Sequence, residues 1–183
     1  MTCVLQNRAI QKSVSNTLFM MRASVKFIIQ QQAMSNWCWA AVATSMFKYY
    51  RPTSPITQPR FVSDILQIPQ CNSPQLPAVC NKQFSLVAAL KWLHIYDGWE
   101  NKPSHPDTIH GALMEQRPVG LLLFNTVNQG HFVVASGIDI TPAGTILTFK
   151  DPIGASTRHV PYAMLVNGFE GSTWTKTYFT RGF

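Results

Sequence analysis

Apolar and polar positions change their period twice along the chain. Residues 1–24 are polar and unpatterned, as in a flexible N-terminal arm or delivery segment. The run SVKFII (24–29) is β-branched and short, and it predicts a strand. From SNWCWAAVATSMFKYY (35–50) the period becomes helical. Ser35 or Asn36 can cap, and small and bulky apolar residues follow for more than three turns, so a largely buried helix opening at Cys38 is predicted. Three prolines in RPTSPITQP (51–59) break that helix. Helical spacing returns in RFVSDILQI (60–68), in QFSLVAALKWLHIY (83–96) and in PSHPDTIHGALMEQ (103–116), the last with Asp107 or Thr108 near its cap. The pattern then turns to strands. RPVGLLLFN (117–125) reads as a buried strand and GHFVVASGIDI (130–140) as a second. TPAG (141–144) is a turn, and TILTFKDP (145–152) returns antiparallel to the second strand. STRHVPYAMLVN (156–167) offers a short strand and a short helix, and TWTKTYFT (173–180) a last half-exposed strand. Helices precede strands, so the class is α+β with one antiparallel sheet, a single domain over 25–183 following the arm.

Composition agrees with a full core: of 183 residues, 46% are hydrophobic and 13% charged. That excludes a disordered chain. The net charge of +7 raises the question of nucleic acid, but Lys and Arg are scattered and no run of five basic residues occurs, so no nucleic-acid site is expected. No apolar stretch approaches the roughly 20 residues needed to span a bilayer, so no membrane association is expected. TLFMM (17–21) is too short for the apolar region of a Sec signal. If the protein leaves its maker, a specialised secretion system is the expected route.

Four cysteines, Cys3, Cys38, Cys71 and Cys80, are too few for a disulfide framework in a chain of this size. Cys71 and Cys80 flank the Pro-rich NSPQLPAV; in an oxidising place they bridge, and otherwise they stay free. Their spacing does not suit zinc, and neither a metal nor a cofactor is expected. Cys38 is the cysteine with chemical potential. Alone, a cysteine in an alanine-rich helix reads as an inert core thiol. At a helix start, however, unpaired N–H groups and the helix dipole favour its thiolate. The same N–H groups, with a side-chain amide from Gln30, Gln31 or Gln32, suit an oxyanion. A nucleophile needs a base held by a third group. Of five histidines, His131 opens an apolar strand just after a glycine, and Asp151 ends the strand that returns beside it. A hairpin through TPAG therefore brings the two together.

These residues resemble a known family. Gln32, five residues and Cys38, with WCWAA opening the helix, look like the papain-like cysteine peptidases. They are most similar to the branch of AvrRpt2-type bacterial effector peptidases and C39-like peptidases. GHFVVASG resembles that branch's histidine strand, FKDP its acidic third member, and PITQPRFVSDIL the segment after the nucleophile helix. The resemblance spans about residues 25–155. It implies a papain-like fold, with the nucleophile helix packed on a C-terminal antiparallel sheet. It further implies Cys38 as nucleophile, His131 as base, Asp151 as its orienting partner, and Gln32 with the Cys38 N–H as oxyanion donors. Asn36 and Trp37, beside the nucleophile, are expected at the substrate or the cleft wall.

The implied reaction is hydrolysis of a protein substrate through a thioester, by a secreted effector or toxin acting in a host or rival cell. An immunity or inhibitor protein, or a host activating factor, is the expected controlling partner. The same residue set also serves an amidase, a deamidase or an acyltransferase. A basic binding module without catalysis is the remaining alternative.

Overall fold

A computed structural model describes residues 20–127 and 129–183. The elements run β1 (Met21–Ser24), α1 (Cys38–Tyr50), α2 (Gln58–Leu66), α3 (Leu86–Trp92), β2 (Tyr96–Glu100), α4 (Pro106–Met114), β3 (Val119–Asn125), β4 (Gly130–Thr141), β5 (Gly144–Asp151), β6 (Ser156–Pro161), α5 (Tyr162–Asn167) and β7 (Ser172–Thr180), with two short 3-10 turns between α2 and α3. One antiparallel sheet holds every strand, in the order β2-β7-β3-β4-β5-β6, with β1 also on β4. The class is α+β, as the order of helical and alternating segments predicts.

α1 is the central helix. Its first nine residues, Cys38 to Met46, are all buried, and it packs on β4, α2 and α3. Trp39 meets Phe61 of α2 and Phe84 just before α3. The predicted caps do not act as caps: Trp37 holds the N-cap position and makes no side-chain cap bond. Ser35 and Asn36 are bonded instead to Asn81. α2 starts two residues earlier than its periodicity suggests, because the Thr57 hydroxyl accepts from Arg60 N–H and a proline fills the first turn. The helix expected over 83–96 is shortened at both ends. Ser85 caps it, and His94, at φ 58°, turns the chain out of it. Tyr96–Glu100 then pairs with β7 as an edge strand. α4 is capped by His105, whose Nδ1 accepts from Asp107 N–H, rather than by Asp107 or Thr108.

The strand expected at 24–29 lies at Met21–Ser24, so the last four residues of the expected arm belong to the sheet. Residues 1–19 of that segment lie outside the described residues. Beyond Ser24 the chain keeps alternating buried Val25, Phe27 and Ile29 with exposed Lys26 and Ile28. It leaves the ladder because Phe27 N–H turns back to the Val25 carbonyl.

β4 organises the rest. Its first half pairs with β3 (Val119↔Ala135 to Phe124↔Gly130) and its second half with β1 (Met21↔Ile140 to Ser24↔Gly137). Its other edge pairs with β5 from Val134 to Thr141, with one irregularity between Ala135 and Gly137. There two residues of β4 oppose one of β5, a β-bulge. The pairing runs Gly137↔Thr148 on one side of it and Ala135↔Phe149, Val134↔Lys150 on the other. One further step reaches Val133 and Asp151. Cross-strand partners share a face and faces alternate along a strand, so His131, two residues from Val133, shares the face of Asp151. Had the register before the bulge continued, Asp151 would share a face with Val134 and Phe132 instead.

Candidate active site

Three segments converge at the head of α1. The first is the loop 30–37 with the cysteine that follows it. Cys38 is the first residue of α1, is a free thiol and is 8% exposed. The helix start presents unpaired backbone N–H groups there, so negative charge is favoured.

The second is the start of β4. His131 is about a quarter exposed and is pinned by the sheet, opposite Leu123 of β3. Its Nε2–H donates to Asp151 Oδ1 at 2.8 Å, which leaves Nδ1 for Cys38. Burial pulls the His131 pKa down. The hydrogen bonds to Asp151 and Cys38, and the charges on both, outweigh that burial and hold it at about 9. The imidazolium is thus the stable form at neutral pH, placed between a carboxylate and a thiol.

The third is the end of β5. Asp151 Oδ1 also accepts from Ile153 N–H at 2.8 Å, an Asx turn that holds the carboxylate in place. The next residue returns to the first segment, since the Pro152 carbonyl accepts from Gln32 N–H at 2.9 Å.

Gln32 stands in this loop but its amide is turned onto it. Nε2 donates to the carbonyls of Met34 (3.0 Å) and Ser35 (2.8 Å). Oε1 is buried without a partner among the described residues. Asn36 stands in the wall of the cleft that also holds His131 and Asp151. Trp37 does not: it is fully buried, and its Nε1–H donates to the Cys80 carbonyl at 2.7 Å. The substrate contact expected of Trp37 is therefore corrected, because its indole is spent in the core beneath the loop.

Two residues that the sequence patterns gave no reason to single out hold the loop. Gln58, 5% exposed, donates from Nε2 to the Gln31 carbonyl (2.8 Å) and accepts at Oε1 from Ala33 N–H (3.0 Å). Asn81 accepts at Oδ1 from Asn36 N–H (2.9 Å) and donates from Nδ2 to Ser35 Oγ (2.8 Å). Both reach the loop from more than twenty residues downstream, and no local spacing marks such a contact. Cys80, beside Asn81, is bridged to Cys71.

A cleft of about 610 Å³ opens beside His131 and Asp151, lined also by Asn36, Gln83, Leu123 and Gln129. A larger hollow of about 870 Å³ lies at the other end of α1, against Phe47, Arg51, Trp92 and Phe183. It lies about 13 Å along the helix from Cys38, at 1.5 Å per residue, and has no thiol. Among the described residues no group of His, Cys, Asp and Glu is arranged to hold a metal, and no helix is long and apolar enough to cross a membrane.

A thiol at a helix head, an imidazole beside it and a carboxylate behind that imidazole, at the junction of a helical part and an antiparallel sheet, define a papain-like cysteine hydrolase. Comparison with solved structures agrees on the fold: digestive procathepsin L 3 of the Tenebrio molitor larval midgut matches with a TM-score of 0.52 at 11% identity, over 92% of this chain and 72% of that one. The chain belongs to the family described as papain-like cysteine protease AvrRpt2, which matches residues 20–170. It is a cysteine peptidase. No curated protein matches it.

Proposed function

We propose that the protein is an endopeptidase that cuts a protein substrate through a thioester on Cys38. The observation that carries this reading is His131, held at 2.8 Å by Asp151 and close enough to Cys38, at the head of α1, for that residue to raise its pKa. The Cys38 thiolate attacks the scissile carbonyl carbon. The carbonyl oxygen becomes an oxyanion, received by the Cys38 N–H and by Gln32. Gln32 gives up its longer bond, the one to Met34, because a bond to a charged oxygen is about twice as strong as one to a neutral carbonyl. Collapse breaks the C–N bond while His131 passes its proton to the departing amine. A water then gives a proton to His131 and attacks the thioester carbon, releasing the acid and restoring the thiolate. Asp151 keeps Nε2 protonated and Nδ1 facing the sulfur throughout.

The site of action is a host or rival cell, reached by a specialised secretion system. The bridge between Cys71 and Cys80 supports passage through an oxidising space, where such bonds persist. Resemblance to effector peptidases supports delivery, and an immunity protein or a host activating factor then controls the enzyme. Terminal-peptide proteomics on target cells expressing wild type or Cys38→Ala tests the peptidase reading. New protein termini are expected with wild type alone. Identical termini in both, with a mass gain of one unit at glutamines or released muropeptides in wild type, would move the activity to deamidation or amide hydrolysis elsewhere.

A further inference from the structure

Oxyanion stabilisation needs the Gln32 amide to hold still relative to the Cys38 N–H at the head of α1, yet Gln32 sits on an irregular loop. Residues 30–37 contain no helix or strand, so no regular ladder fixes the loop backbone. Two side-chain amides hold it, together with the bond from Gln32 N–H to the Pro152 carbonyl. Gln58 bonds the carbonyl before Gln32 and the N–H after it, as a neighbouring strand would. Asn81 takes the N–H of Asn36 and the hydroxyl of Ser35, and Ser35 also supplies the carbonyl on which the Gln32 amide rests. The carbonyls on either side of Asn81 continue the pattern: that of Cys80 accepts from Trp37 Nε1–H and that of Lys82 from Trp39 Nε1–H. Tryptophans on both sides of Cys38 are thus anchored to the same short stretch. Neither amide lies in the His131–Asp151 chain of hydrogen bonds.

We propose that Gln58 and Asn81 are positioning residues for the oxyanion loop, acting on the stability of the tetrahedral intermediate and not on the formation of the thiolate. This rests on the peptidase reading above. The two functions of the site are then held largely from different parts: β4 and β5 hold the base, while two amides from the helical part hold the oxyanion loop, which meets β5 through the bond from Gln32 N–H to the Pro152 carbonyl. Loosening the amides leaves the thiolate–imidazolium pair standing and removes part of what stabilises the oxyanion.

The test compares wild type with Gln58→Met and Asn81→Leu, which keep volume and remove the bonds, and with Asn81→Asp. The aspartate still accepts from Asn36 N–H, and the Ser35 hydroxyl can turn to donate to it. Three quantities are read on the purified full chain: kcat and KM on a fluorogenic casein, the rate of Cys38 alkylation by iodoacetamide across pH, and amide hydrogen exchange over residues 31–37. Alkylation needs the thiolate but no oxyanion. For Gln58→Met and Asn81→Leu, kcat is expected to fall about tenfold or more with KM within about twofold, a fraction of the 10²–10³ that one oxyanion donor supplies. The alkylation profile should stay within about twofold, exchange at Ala33 or Asn36 should quicken at least about tenfold, and Asn81→Asp should recover most of the kcat. Alkylation falling in step with kcat, unchanged kcat, or unchanged exchange each overturns the proposal. Exchange reads the amides even if wild type cuts no casein, so failure of the peptidase reading and failure of the positioning role are told apart.

Discussion

Removing the Asp151 carboxylate should lower the pH at which the enzyme loses its working imidazolium. His131 is held at about 9 against an ordinary 6.5, despite burial that acts the other way. At about 1.4 kcal/mol per unit, that net rise corresponds to roughly 3 kcal/mol in favour of the imidazolium. The hydrogen bond that His131 donates to Asp151 is the largest contribution raising it, and the Asp151 charge adds another; Cys38 supplies the rest. In Asp151→Ala both Asp151 contributions go while the burial remains, so the pKa should drop by at least about one unit. The assay is the pH dependence of kcat/KM between pH 5 and 10, with iodoacetamide alkylation of Cys38 as a substrate-independent companion. Wild type should decline on the alkaline side near pH 9. The variant should decline at least about one unit lower, and its plateau should fall by about 10²-fold or more as the ring loses its fixed orientation. The same shift appears in stability. A pKa raised on folding stabilises the native state fully below the unfolded value, near 6.5, and that gain is lost as pH climbs through 9. Urea midpoints of wild type and variant should therefore differ most below pH 6.5 and converge above 9. An alkaline limb near 9 in both proteins would refute the assignment of Asp151 as the source of the shift.

Cys38→Ala should lower kcat/KM by at least about 10⁴-fold with little loss of stability, read by peptide hydrolysis and thermal melting. Gln32→Ala should reduce kcat by roughly 10²-fold or more. Gln30→Ala should change it less than about twofold, since the Gln30 amide nitrogen is buried without a partner among the described residues and its backbone bond to Ser45 is retained. Cys80→Ser opens a loop with a sequence separation of 9 and should cost about 2.5 kcal/mol by chain entropy, measured by urea titration. Gly130→Ala places a Cβ 3.0 Å from Leu122 Cδ1 and 3.1 Å from Phe124 Cε2. It should destabilise by about 1 kcal/mol while lowering kcat about tenfold, because the strain enters β4 one residue before His131.

The parts of the site that lie within one helix start or one hairpin were legible in the sequence. Cys38 opens α1 because small and apolar residues of helical period begin there. His131 and Asp151 meet because Pro142 and Ala143 join Thr141 to Gly144 in a short turn that returns β5 along β4. What was not legible depends on contacts made across the fold. Strand β2 has five residues including a glycine, and only its pairing with β7 makes it a strand. The strand signal in SVKFII is real as alternation, with every second residue buried, but the paired strand is Met21–Ser24, which overlaps that run only at Ser24. Ser35 and Asn36 have the chemistry of caps, and Asn81 claims them first. Trp37 neighbours the nucleophile in sequence and points into the core. The direction of the Gln32 amide depends on a loop shaped by Gln58 and Asn81, and no pattern in 30–38 contains that information.

The bulge in β4 sets a rule of parity for the hairpin. Because it inserts one residue between the His131 end and the turn, changes in strand length are tolerable for the site only in even steps, or when matched by a compensating change in β5. Losing one residue between Ala135 and Gly137 would send His131 to the far side of the sheet from Asp151, while leaving the apolar content of the strand almost unchanged. A family descending from such a chain could drift widely in side chains along this hairpin and still be held to a fixed count of residues between its histidine and its aspartate.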